Sequence, residues 1–261
     1  MIDLRAMKAA LKQQSIHFFV DPQWIIPSII APFIFTTVTL FLFRHAGGDL
    51  LIYAVLGGGV LGMWGNTIHG SSWSIGYDRM NGTLEAIMVT PAPLSSVVFG
   101  RCLWNSFLGL LNALAVFLVA QFAFGIDITI QNPVGFVIAL TATLISLSVL
   151  GMVFGAFYVV TRASSAFFQI LEFPIYVLSG AVFPLFILPE WSRPLSYVIP
   201  ATWGAEALKI STLSGYDSLG IGYYGALGMT VLTTMAFLLL SLWLFTLLER
   251  RAKVNGTLVR Y

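Results

Sequence analysis

The chain has 261 residues and a formal net charge of +2, with 58% hydrophobic and only 9% charged residues. Soluble domains carry about 25% charged residues, so a soluble globular fold is excluded, and the mean hydropathy of +0.89 leads to the expectation of an all-α integral membrane protein. The single cysteine, Cys102, excludes an intramolecular disulfide and reads as a small buried hydrophobe beside a span.

Residues 1–22 read as an amphipathic interfacial helix. Leu4, Met7, Leu11 and Phe18 mark one face, while Arg5, Lys8, Lys12 and Gln13 occupy the rest, a pattern suited to an anionic membrane surface. Basic residues interleaved with apolar ones argue against a secretory signal. Asp21 and Pro22 then supply a cap and a first-turn proline for the next helix. A first span is expected over residues 24–43, about 20 residues and long enough for the hydrocarbon core, bent by Pro27 and Pro32. After a turn at Arg44, His45, Gly47, Gly48 and Asp49, the second span begins near Leu50. It carries Gly57, Gly58, Gly59, Gly62 and Gly65, which let another helix approach closely, within the subunit or at a dimer seam.

Residues 78–93, Asp-Arg-Met-Asn-Gly-Thr-Leu-Glu-Ala-Ile-Met-Val-Thr-Pro-Ala-Pro, form the longest polar-studded interruption between two very apolar runs. Gly82 frees the backbone to turn and Thr83 is placed to cap a short helix, on which Leu84, Ile87 and Met88 share one face. Glu85 sits in the first turn, where a carboxylate complements the helix dipole, and Pro91 and Pro93 stop the helix. An ordinary one-turn loop is the alternative.

Further spans are expected over residues 96–124, 134–160, 164–183 and 223–248, with a turn at 127–133, for about six in all and no soluble domain. Residues 184–211 contain Pro184, Pro189, Pro194 and Pro200 with Trp191, Tyr197 and Trp203. This stretch is apolar enough to enter a membrane and too broken by proline to cross it, so a re-entrant or surface segment is expected, either touching cargo or only stabilising the fold. Ten of the thirteen Lys and Arg residues fall on one side if both termini are inside: Arg5, Lys8, Lys12, Arg79, Arg101, Arg162, Arg250, Arg251, Lys253 and Arg260. That asymmetry puts both termini and the 78–93 segment in the cytoplasm and residues 184–211 outside.

Within the spans, Glu172 lies near the expected midplane, where a carboxylate is costly and faces protein. It either lines an inter-subunit cavity or bonds to an amide or to His69. Gln169 lies one turn away, and Asn66, His69, Asn105, Asn112 and Gln121 could face the same translocation path or form helix-to-helix hydrogen bonds. No Gly-Lys dipeptide occurs, so no phosphate-binding loop of the Gly-x-x-x-x-Gly-Lys type exists and ATP hydrolysis is not expected on this chain. The three histidines are scattered, which argues against a metal site, and no serine-hydrolase motif is present. Asn81-Gly82-Thr83 and Asn255-Gly256-Thr257 match the glycosylation pattern but lie on the expected inner side and read as turns. A secondary transporter would show two repeated halves with interrupted helices, and none is apparent. An intramembrane enzyme lacks a catalytic constellation.

Arg79 with Gly82-Thr83-Leu84-Glu85, the hydrophobic patch after it and Thr90-Pro91, set between the second and third of about six spans, resembles the coupling segment of type-2 ATP-binding-cassette (ABC) export permeases. The likeness extends over most of the chain through span order, spacing and the proline-rich stretch near residue 184. The resemblance implies a transport subunit rather than an enzyme, in a plasma membrane. It implies a second permease copy, identical or related, and a separate ATPase subunit carrying ATP and Mg. Arg79, Gly82, Thr83, Leu84, Glu85, Ile87, Met88 and Pro91 would contact that subunit, and Pro184, Trp191, Pro200 and Trp203 would belong to an outer gate. The cargo implied is a drug, peptide or lipid, with a lipid-linked glycan as the alternative. No nucleic-acid partner is expected.

Overall fold

Long apolar runs without β-periodicity have one stable form inside a membrane, the helix, because it satisfies its own backbone hydrogen bonds. The computed structural model describes residues 3–20, 30, 33–34, 37–38, 40–41, 48–126, 129–161, 165–181 and 185–255. Among the described residues every regular element is helical. In chain order these are α1 (Leu4–Val20), α2 (Gly48–Trp64), α3 (Gly70–Met80), α4 (Thr83–Val89), α5 (Leu94–Phe124), α6 (Pro133–Thr161), α7 (Ser165–Leu178), α8 (Arg193–Val198), α9 (Pro200–Thr212) and α10 (Gly222–Asn255). A π-helical turn, Gly65–His69, joins α2 to α3 so that the two run on as one rod. Two 3-10 turns, Leu185–Ile187 and Glu190–Ser192, lead into α8.

Three described stretches are long and apolar enough to cross a membrane: Leu94–Phe124, Pro133–Phe157 and Gly222–Leu247. These match the third, fourth and sixth expected spans. Of the fifth, the described helix is the 14-residue α7, with Pro174 inside, and residues 162–164 and 182–184 at its two ends lie outside the described residues. The first, with Pro27 and Pro32, lies mostly outside the described residues, as does Pro184.

α6 is the hub of the bundle: α5, α9, α10, α3 and the π-turn all pack on it, and α5 packs in turn on α1 and α2. One core runs through Leu56, Met63, Ile68, Ile75, Val98, Leu147, Met152, Leu208 and Phe245. Among the described glycines the tightest approaches to the α2–α3 rod come from its partners, while a Cβ on Gly59 of α2 would make only ordinary contact with Phe117, at 3.4 Å. A Cβ on Gly109 of α5 would stand 2.8 Å from the Met63 Cα, and one on Gly151 of α6 would stand 3.0 Å from the Thr67 carbonyl oxygen, whereas one on Gly65 would meet nothing within 4 Å. The chain therefore uses these small residues for packing within the subunit.

Candidate functional site

The 78–93 segment is a tight elbow followed by a short helix. Gly82 takes a left-handed φ of 68° at the N-cap of α4, a conformation that favours glycine. Thr83 is the first helical residue rather than the cap. Its hydroxyl reaches back to Asp78, 2.9 Å from Oδ1 and 3.2 Å from the main-chain oxygen. The turn is thus held from α3, because the cap position itself has no side chain to offer.

The apolar row of α4 faces the bundle. Leu84 is buried, and Ile87 and Met88 pack partly against the core that holds Ile75, Leu94 and Val98. Burying a leucine contributes roughly 1.5–3 kcal/mol, enough to fasten a seven-residue helix that would be unstable alone. The opposite side is bare: Met80 is 77% and Val89 85% exposed, alongside Asn81, Gly82, Ala86, Thr90 and Pro91. Glu85 and Arg79 are half-buried at the edge.

Beneath this elbow lies a buried polar network. Asp78 forms an ion pair with Arg101 of α5, the two side chains being 7% and 3% exposed. Arg101 Nη2 also donates to Gln13 Oε1 of α1 at 3.1 Å, and Nη1 lies 3.5 Å from the Ser74 carbonyl. One helical turn along α5, Asn105 donates to Ser71 Oγ at 3.2 Å and accepts from Gln14 Nε2 at 3.5 Å. Asp3 N donates to Ser96 Oγ at 2.8 Å. Charges withdrawn from water require this degree of pairing. It joins α1, α3, α4 and α5 into one block.

The same contacts revise the face of α1. Ala10, Gln14 and Phe18 are its buried residues, whereas Leu4, expected on that face, is exposed together with Ile16, Phe19 and Val20. A close backbone approach decides this: a Cβ at Gly100 would lie only 2.2 Å from the Met7 carbonyl oxygen. Gln13, grouped by sequence with the solvated face, is an Arg101 ligand. Its pairing with a residue 88 positions away leaves no local signal.

Of the residues expected along a translocation path, Asn105 belongs to this network. Asn66 is buried and donates to the Gly62 carbonyl at 3.0 Å, and Asn112 is buried on α5. Gln121 is exposed and Glu172 half-buried. The side chains of His69 and Gln169 lie outside the description. α7 is tied to α2 by Tyr176, whose hydroxyl donates to the Gly57 carbonyl at 3.2 Å and whose ring meets Trp64 edge-on at 5.3 Å. At the far end of the bundle, Pro200 opens α9, and Trp203 is buried with Nε1 donating to the Tyr197 carbonyl at 2.9 Å. Trp191 stands 75% exposed, and Pro184, the remaining residue of the expected gate, lies outside the described residues.

Comparison with known proteins follows the same outline. The chain is similar to a protein of Dictyostelium discoideum named ABC transporter G family member 20, with 26% identity over 215 residues, covering 81% of this chain and 28% of that protein. The chain thus spans under a third of the relative's length. The family described as ABC-2 type transporter matches residues 5–213, from α1 through α9. By that match, which takes in the elbow, its buried ion pair and most of the apolar helices, the chain belongs to the ABC-2 type transporter family.

Proposed function

We propose that this chain is the membrane-spanning permease subunit of an ATP-driven exporter, moving an amphipathic or lipid-like molecule such as a drug, peptide or lipid by alternating access. A separate ATP-binding-cassette subunit, carrying ATP and Mg, docks on α4, and a second permease copy completes the path. Both termini face the cytoplasm of a plasma membrane, a placement supported by the Lys and Arg asymmetry. α1 is the interfacial helix: on its exposed side Arg5, Lys8 and Lys12 in the first half suit lipid headgroups, and Ile16, Phe19 and Val20 in the second half suit lipid.

The observation that carries this reading is the division of labour on α4. Leu84, Ile87 and Met88 hold the helix to the bundle, leaving Met80 and Val89 as the apolar contact with the ATPase subunit. Arg79, Thr83 and Glu85 supply its polar surroundings, with Gly82 and Pro91 at the two bends of the same contact. A contact fixed on one side and open on the other can pass a displacement into the spans, provided its strength differs between the two end states. Asn66, Asn112 and Glu172 remain candidates for the path, with Gln169 and His69 beside them. Pro184, Trp191, Pro200 and Trp203 remain in the outer segment.

Co-purification tests the partner: the tagged chain should bring down an ATPase subunit. Glu85→Arg, which reverses a charge at the edge of the contact, should remove about 2 kcal/mol of interaction and uncouple transport from hydrolysis while membrane insertion stays normal. Transport at the parent rate in that variant would sink the docking assignment.

A further inference from the structure

A second buried charge pair lies at the end of the bundle remote from α4. Glu206 and Lys209, one turn apart on α9, are each 1% exposed. Lys209 Nζ lies 3.1 Å from Glu206 Oε1. The carboxylate also accepts from the Tyr216 hydroxyl, at 3.1 Å to Oε1 and 3.0 Å to Oε2, and from Ser218 Oγ at 2.7 Å. Lys209 donates to the main-chain oxygen of Gly180, just beyond α7, and stands 5.5 Å from the centre of the Tyr53 ring on α2. The Tyr53 and Tyr216 rings meet edge-on at 5.5 Å. Burial, reinforced by the nearby carboxylate, raises the Tyr216 phenol, so it stays protonated and donates. Four separate segments therefore meet on two side chains: α2, the end of α7, α9 and residues 213–221 leading into α10.

Cohesion alone does not call for such a pair, since well-packed apolar side chains in its place are often as stable or more so. What a charge pair adds is an all-or-none contact. If α9 slides, Glu206 and Lys209 move together on one helix, so the Tyr216 and Ser218 contacts of the one and the Gly180 contact of the other break in the same step, and new partners or water must replace them.

We infer that Glu206 and Lys209 form a latch that keeps the end of the bundle remote from α4 shut, by fastening α9 and residues 213–221 to the ends of α2 and α7, and that it opens once in each transport cycle. Both are positioning residues, acting through the segments they hold. The inference rests on the transport reading above but not on the docking surface of α4.

Ala181, beside Gly180 and 1% exposed, reports on the latch. The parent is the full chain with Cys102→Ser and Ala181→Cys, purified with its ATPase subunit in lipid nanodiscs and labelled with a charged maleimide. The parent should label slowly without nucleotide and faster during ATP turnover. Lys209→Met and Glu206→Gln should raise the nucleotide-free rate about tenfold, a shift in the open population. Should either fail to fold, Tyr216→Phe combined with Ser218→Ala strips two donors from Glu206 while keeping the charge pair, and faster labelling there supports the latch. A parent that responds to ATP while every folded latch variant matches it overturns the latch and leaves the transport reading intact. A parent that labels at one rate with and without ATP, while its ATPase subunit turns over, overturns the opening step and leaves the transport reading to its own co-purification test.

Discussion

Arg101→Ala should destabilise the protein by about 3–5 kcal/mol, the usual consequence of removing one partner from a buried ion pair. The cause is what stays behind. Asp78 remains buried with its carboxylate facing the space the guanidinium left, and it must take up a proton or draw in water to offset the lost partner. Gln13 and the Ser74 carbonyl lose a donor in the same step. Thr83, which bonds to Asp78 Oδ1 at 2.9 Å, then sits on an anchor free to turn away, so the elbow before α4 loosens. Thermal unfolding of the purified protein in detergent checks the first effect, and transport per ATP hydrolysed checks the second. The double variant Asp78→Leu with Arg101→Leu gives the sharper comparison. It removes both charges together and should recover much of the stability while leaving coupling impaired. Full coupling in the double variant would show that the pair contributes cohesion alone.

Gly100→Val should detach α1. A Cβ at this position would meet the Met7 carbonyl oxygen at 2.2 Å, the Met7 carbonyl carbon at 3.0 Å and the Ala10 Cβ at 3.1 Å. Backbone cannot swing aside as a flexible side chain can, so the helices must separate by more than about 1 Å. Overpacking of this kind costs typically about 1–3 kcal/mol. Here the shift also stretches the Gln13 contact with Arg101 and the Gln14 contact with Asn105. Amide hydrogen exchange across residues 4–20 should accelerate sharply in the variant, while exchange in α10 stays as in the parent. Gly65→Ala serves as the control, because a Cβ there meets nothing within 4 Å and alanine favours a helix over glycine by up to about 1 kcal/mol. Comparable exchange in the Gly100 and Gly65 variants would refute the close-packing account.

The sequence made legible whatever is local. Run length located α5, α6 and α10 to within a few residues, apart from the C-terminal extension of α10, and the Asn-Gly pair before Thr83 marked the left-handed turn. Periodicity placed Leu84, Ile87 and Met88 on one face, but an apolar face says only that something covers it. The resemblance pointed it at another chain, whereas the structure buries Leu84, and Ile87 and Met88 in part, against this chain's own core. Asp78 and Arg101 stand 23 residues apart, each reading as an ordinary boundary charge, and pairing across that distance follows from how α3 and α5 pack. Glu206 and Lys209 were hidden for a related reason. Counting Lys and Arg by side treats each as solvated, so Lys209 entered the tally as a loop residue. Their i,i+3 spacing was the available clue.

The π-turn at Gly65–His69 has a bearing on how the elbow is aimed. Each residue advances a helix by about 100°, and a π-turn holds one residue more than an α-turn would. Shortening Gly65–His69 by a single residue would therefore re-phase the lower half of the rod by about a quarter-revolution, carrying Ser71, Ser74 and Asp78 off α5 while the glycine-rich upper half stayed where it is. The surplus residue works like a washer beneath a threaded fitting, setting the azimuth at which the lower half comes to rest.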